Sequence, residues 1–270
     1  MVKKLLKYEL MYYLRTLGLF LPIVLVIGLV TKIFIMLDGN NALSSIAIGS
    51  STIMLAISCT TIVMLSVVVS VIRFYKNMYS AEGYLTFALP ITCDQHIFVK
   101  LLSSLICQLV CLVTAVVAVV IAISGETLNE VVDLLSYGLR DFFTSYGTAN
   151  SLGFIIEALL ILLVTAVSNV LLFYACITVG QTAKKNRVLM AIVAYFIYYV
   201  ITQAIGTVFA ITVTVLGSIG VLDALDVWLT DHYALMVHSY LCIAIVLSAA
   251  LIFAFWFVTK KIMSKKLNLE

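Results

Sequence analysis

The chain has 270 residues, 64% of them hydrophobic and 11% charged, with a formal net charge of +3. A soluble globular domain is about half apolar and a quarter charged, so this composition excludes one. The small positive balance does not point to nucleic acid, and no nucleic-acid partner is expected.

A bilayer core takes about 20 consecutive apolar residues per helical span. Six such runs lie at 16–37, 42–72, 97–124, 150–180, 189–216 and 236–259. The alternation of a β-barrel is absent, so the spans are read as helices, which satisfy their own backbone polar groups. The expected fold is all-α: a polytopic membrane protein, one domain over 1–270, with six transmembrane helices.

In chain order, the N-terminal KKLLKYELMYYLR sets Leu6, Leu10, Tyr13 and Leu17 in a stripe beside a basic arc of Lys3, Lys4, Lys7 and Arg15. A short helix of this pattern lies at the headgroups and touches membrane lipid before the first span. Ordinary charge anchoring explains the lysines equally well. The first run is longer than a signal-peptide core, and no clear small-x-small cleavage site follows it, so it is read as a membrane anchor. Lys32 lies inside it.

Between the second and third runs stands a polar and aromatic insert, RFYKNMYSAEGYLTFALP (73–90). Thr92 and Gln95 have capping-box spacing just before the third span, and Pro90 falls in the preceding turn. Tyr84, Leu85, Phe87 and Leu89 are apolar in a piece too short to bury them. Such groups mark a contact site, or they dip into the inner membrane face.

Beyond the third run, residues 127–143 have the best amphipathic pattern. Leu128, Val131, Val132, Leu135, Leu139, Phe142 and Phe143 share one arc, and Thr127 with Glu130 has capping-box spacing. This outer helix either shields an exit or lies on the bilayer surface. A second outer segment, 218–231, has Val221, Leu222, Leu225, Trp228 and Leu229 at helical spacing.

Glu157, in the fourth run, and Lys32 each lie about 10 Å below the outer ends of their spans. An unpaired charge there is costly. Either the two pair or share a polar cavity, or Lys32 snorkels outward and Glu157 is protonated. Asn169 and Gln203 lie deeper, suited to interhelical hydrogen bonds or to lining a pathway. Ser66/Ser70, Ala118/Ala122 and Gly206/Ala210 have the spacing of small residues that let helices approach closely.

Lys and Arg fix the expected orientation. They gather before the first span, between the second and third (Arg73, Lys76, Lys100), between the fourth and fifth (Lys184, Lys185, Arg187) and after the sixth. The acids concentrate in the other loops. Both termini are therefore expected in the cytoplasm, with the protein multi-pass in the cell membrane. None of the six cysteines lies in an outward loop, so no disulfide framework is expected. Cys107 and Cys111 share a helix face as small packing residues.

There is no GxxxxGK[ST], HExxH or GxSxG. The three histidines have no metal-ligand spacing. No catalytic residue, metal or cofactor is assigned to the chain, and it is not read as an enzyme.

SAEGYLTFALPITCDQHIFVKLL (80–102) resembles the cytosolic segment of ABC-2-type transporter permeases, of the kind found in Firmicutes, with EGYLTF-LP followed by a Lys-Leu-Leu span start. The layout of a basic N-terminal helix and six spans resembles that family too. The resemblance implies that 80–92 holds a coupling helix docking on a separately encoded ATPase, which binds the ATP and Mg. The matching positions are Glu82, Gly83, Tyr84, Thr86, Leu89 and Pro90, with Phe87 beside them as a contact residue. It further implies a permease subunit of an ATP-driven exporter, paired with a second copy or a sibling permease. A peptide antibiotic or lipid-like cargo goes with that reading. The alternative is an ATP-independent membrane transporter or an immunity scaffold.

Overall fold

In the computed structural model, the described residues are 2–37, 41–80, 82–87, 92–183, 185–220 and 232–265. They form α1 (Val2–Leu17), α2 (Phe20–Met36), α3 (Ala42–Tyr79), α4 (Glu82–Phe87), α5 (Cys93–Ala122), α6 (Glu126–Tyr146), α7 (Thr148–Gly180), α8 (Arg187–Ser218) and α9 (Tyr233–Lys265). No strand occurs among the described residues. Five helices, α3, α5, α7, α8 and α9, are long and apolar enough to cross a membrane. The number becomes six if α1 and α2, which meet at a 45° bend, are taken as one span. Each apolar run of the sequence therefore has its helix.

The chain divides into two compact units, 1–140 and 141–270, with the boundary inside α6. In the first unit, α2 packs on α3 and α5, α3 on α5, and α1 on α5. Its core is Tyr13, Leu17, Val24, Leu55, Ile62, Cys107, Cys111, Ala118 and Ala122. Lipid tails are as apolar as these side chains, so burial alone gives little drive for association; close packing and interhelical hydrogen bonds hold such helices together. Both are present. A Cβ on Gly28 would lie 2.6 Å from the Ala118 carbonyl oxygen, so only glycine permits this crossing of α2 and α5. The Thr31 hydroxyl donates to Ile27 O at 3.0 Å and reaches Ser51 O of α3 at 3.3 Å. Ser66 and Ser70 are buried, as are Ala118 and Ala122, in keeping with their spacing.

In the second unit, α7 packs on α8 and α9. Phe173 stacks on Tyr195, and Tyr198 meets Phe255 edge to face. Here the small-residue expectation fails at one place. Gly206 and Ala210 are exposed on α8, and a Cβ on Gly206 would meet no described residue within 4 Å. Spacing alone does not say which face of a helix meets a neighbour.

The cap predicted at Thr92 is present. Its hydroxyl accepts from Gln95 N at 3.4 Å, and Gln95 Oε1 accepts from Thr92 N at 3.3 Å. The cap predicted at Thr127 is displaced. The α6 helix starts at Glu126, directly after Gly125 with φ +132°, a backbone that suits glycine. Val132, Leu135 and Leu139 of its apolar arc are exposed, whereas Phe142 packs on Tyr146 and Phe154. The predicted outer segment 218–231 lies, from residue 221 on, outside the described residues.

Candidate functional site

The α1 helix has one acidic residue, Glu9, among four basic ones. It lies on the same helical face as Tyr13, one turn later, and that face turns inward. Only 2% of Glu9 is exposed. Around its carboxylate the fold gathers donors from two other helices. Lys100 Nζ of α5 contacts Oε1 directly, and Lys100 is itself 1% exposed. Asn77 Nδ2 of α3 donates to Oε1 at 2.8 Å. Arg73 Nε of α3 donates to Oε2 at 3.2 Å.

Arg73 then reaches outward. Its Nη1 donates to Glu82 Oε2 at 3.3 Å, on the short helix α4, and its guanidinium lies 4.0 Å over the Tyr12 ring. Two acids and two bases so form one neutral group joining α1, α3, α4 and α5. The charges pair and are hydrogen-bonded, which is what a buried ionic group requires. The last turns of α3 and the first of α5 give it dry surroundings, with Phe74, Met78, Tyr79, Ile97 and Val99 all buried.

Of the residues the resemblance picks out, Glu82, Gly83 and Tyr84 fall at the rim of this group. The amide of Gly83, itself buried, donates to Ser80 O at 2.7 Å and closes the turn from α3 into α4. Tyr84 is 58% exposed. Thr86 and Phe87 are within α4, but their side chains, and all of Leu89 and Pro90, lie outside the described residues.

Lys100 needs a correction. Counted by sequence as a loop charge on the cytoplasmic side, it is instead buried within the helix and neutralised by Glu9. The signal was present, since Lys100 is the sole charge in the 97–124 run. Glu9, Arg73 and Asn77 were not singled out as a group. Their meeting depends on how three helices rotate against one another.

In the second unit, Glu157 of α7 is held by a residue that sequence spacing left aside. His238 Nδ1 of α9 lies 2.9 Å from both carboxylate oxygens. The imidazole stacks on Phe154, with ring centres 4.1 Å apart, and Gly153 makes room beneath it. The Cys242 thiol lies 3.9 Å from Oε1. Lys32 is half-buried on α2 of the first unit; Asn169 on α7 and Gln203 on α8 are exposed. Among the described residues, no cluster of His, Cys, Asp and Glu has the arrangement of a metal site.

No protein family model matches the chain, and comparison with curated proteins and with solved structures finds no match.

Proposed function

We propose that the chain is the permease subunit of an ATP-driven exporter, with α4 as its coupling helix. The observation that supports this reading is the two-sided character of α4. One side presents the exposed Tyr84, an aromatic of the type that anchors protein interfaces. The other holds Glu82 against Arg73 and, through it, the buried Glu9–Lys100 pair. A push on α4 from a docked ATPase would thus act on α1, α3 and α5 at once. ATP and Mg belong to that partner, and a second permease copy or a sibling completes the pathway. Asn169 and Gln203 are the polar positions we assign to it.

In this reading α4 and both termini face the cytoplasm of a cell-membrane protein. A single cysteine at Ser136 should label from outside, and one at Asn186 only from inside. The reverse pattern would overturn the orientation. The Lys32–Glu157 pairing expected from the sequence stands as a proposal beside the His238 contact. If the thermal effects of Lys32→Met and Glu157→Gln simply add, there is no such pair.

The deciding experiment is co-purification of the ATPase with the permease. Tyr84→Ala combined with Leu89→Ala removes two interface anchors, each commonly contributing about 2 kcal/mol, so affinity should fall at least thirtyfold. Permease levels in the membrane should hold. Unchanged ATPase recovery at equal permease level would falsify the coupling-helix reading.

A further inference from the structure

Along α1 run two grooves that join. The inner one, of about 160 Å³, is walled by apolar residues of α1, α2 and α5, among them Leu10, Leu14, Leu17, Leu21, Ile106 and Val110. The outer one is a shallow, open strip on a single face of α1, formed by Lys3, Leu6, Lys7, Leu10, Met11 and Leu14. Leu10 and Leu14 border both. The path therefore runs from two ammonium groups, past the bend between α1 and α2, to the flank of α5.

The charge along this path is of one sign. Among the described residues, no carboxylate lines either groove. The one acid of α1, Glu9, is turned to the other side and bound there by Lys100, Arg73 and Asn77. It does not neutralise Lys3 and Lys7, both of which are exposed. An amphipathic helix with its basic edge outward lies at headgroup level, where a lysine near anionic lipid is worth about 1 kcal/mol. The apolar groove continues from that edge into the depth of the helices. A ligand that matches both parts has an anionic head and a hydrocarbon chain.

We propose that this joined groove binds one anionic phospholipid. Its phosphate sits between Lys3 and Lys7, and one acyl chain lies along Leu10, Leu14 and Leu21 against Ile106 and Val110 of α5. Bound in this way the lipid would fasten α1 to α5 beside the Glu9–Lys100 contact. The proposal does not depend on the transport reading.

The test uses the full chain purified in detergent and titrated with phosphatidylglycerol or phosphatidylcholine of identical acyl chains. Retained lipid is counted by native mass spectrometry, and thermal unfolding is followed in parallel. Phosphatidylglycerol should be retained at one molecule per chain and raise the unfolding temperature, whereas phosphatidylcholine should do neither. Lys3→Gln with Lys7→Gln should weaken retention about thirtyfold. Lys260→Gln with Lys261→Gln, an exposed basic pair elsewhere, should leave it unchanged. Val110→Trp, at a partly exposed position where a larger side chain fits, should fill the groove and abolish retention with both N-terminal lysines intact. Equal weakening by the two lysine pairs would mean general surface charge, and the proposal would fail. It would fail as well if Val110→Trp retained the lipid, or if soluble glycerol phosphate produced the same thermal shift.

Discussion

The two units each place a carboxylate inside apolar helices, and they treat it differently. Glu9 in the first unit receives a lysine, an arginine and an asparagine, and is closed off from solvent. Glu157 in the second receives an imidazole and a distant thiol from one helix and stays half-buried, with a phenylalanine stacked on that imidazole. The first arrangement ties together four elements, the second two. A carboxylate with three donors cannot lose one cheaply, because the remaining charges stay buried and unbalanced. One held from a single helix, with its own surface partly open, can turn outward and resolvate. The first unit should therefore behave as a fixed joint and the second as a contact that can open.

Lys100→Met tests that contrast most severely. It strips a charge from a pair in which both members are buried, and should cost about 3 to 5 kcal/mol, read as a large fall in the thermal unfolding temperature in detergent. Restoring balance with Glu9→Gln in the same chain should recover part of the loss. If Lys100→Met costs no more than His238→Gln, the distinction between the two units collapses.

The glycines sharpen the comparison. A methyl on Gly28 runs into the backbone carbonyl of Ala118, which has nowhere to go without parting α2 from α5. A methyl on Gly153 meets the imidazole edge of His238 at 2.8 Å, and a side chain can swing away. Gly28→Ala should then destabilise by about 1 to 3 kcal/mol. Gly153→Ala should cost less, and should shift the environment of His238 instead, which NMR of the imidazole would show.

His238→Gln keeps a hydrogen-bond donor near Glu157 but removes the ring stacked on Phe154. A loss of about 1 kcal/mol is expected, since the pair is partly open to its surroundings. The smallest effect on stability belongs to Glu82→Gln. Glu82 is largely exposed, and an exposed ion pair contributes about 0 to 1 kcal/mol. Under the coupling-helix reading the same change should lower transport at unchanged thermal stability. A proportional loss of both would make Glu82 merely structural.

What could be read from the sequence was local. Apolar run length located the helices, because a span needs only its own composition. Thr92 and Gln95 located a helix start, because the cap is closed by residues three apart. The same rule misplaced the start of α6, where the turn was governed by Gly125, which tolerates a backbone that other residues resist. The ionic group was not legible as a group. Glu9, the Arg73–Asn77 pair one turn apart on α3, and Lys100 are far apart in the chain, and each helix had to turn a particular face inward before they met. Even so, two of its members stood out in retrospect: an acid alone in a basic helix and a lysine alone in an apolar run. His238 had been set aside for want of metal-ligand spacing, yet it is the one imidazole in a run without Lys, Arg, Asp or Glu, and that made it the available partner for Glu157.

The α3 helix has 38 residues without a break, a length of about 57 Å. The hydrocarbon core of a bilayer is about 30 Å thick. The rod therefore tilts in the bilayer or runs past it, and Arg73, Asn77 and the turn into α4 are all at one end of it. A rod of that length magnifies small rotations: a tilt of about 5° about its far end moves this end by about 5 Å. That displacement is nearly one helical turn, and it would load the contacts that Arg73 makes with Glu9 and Glu82 together.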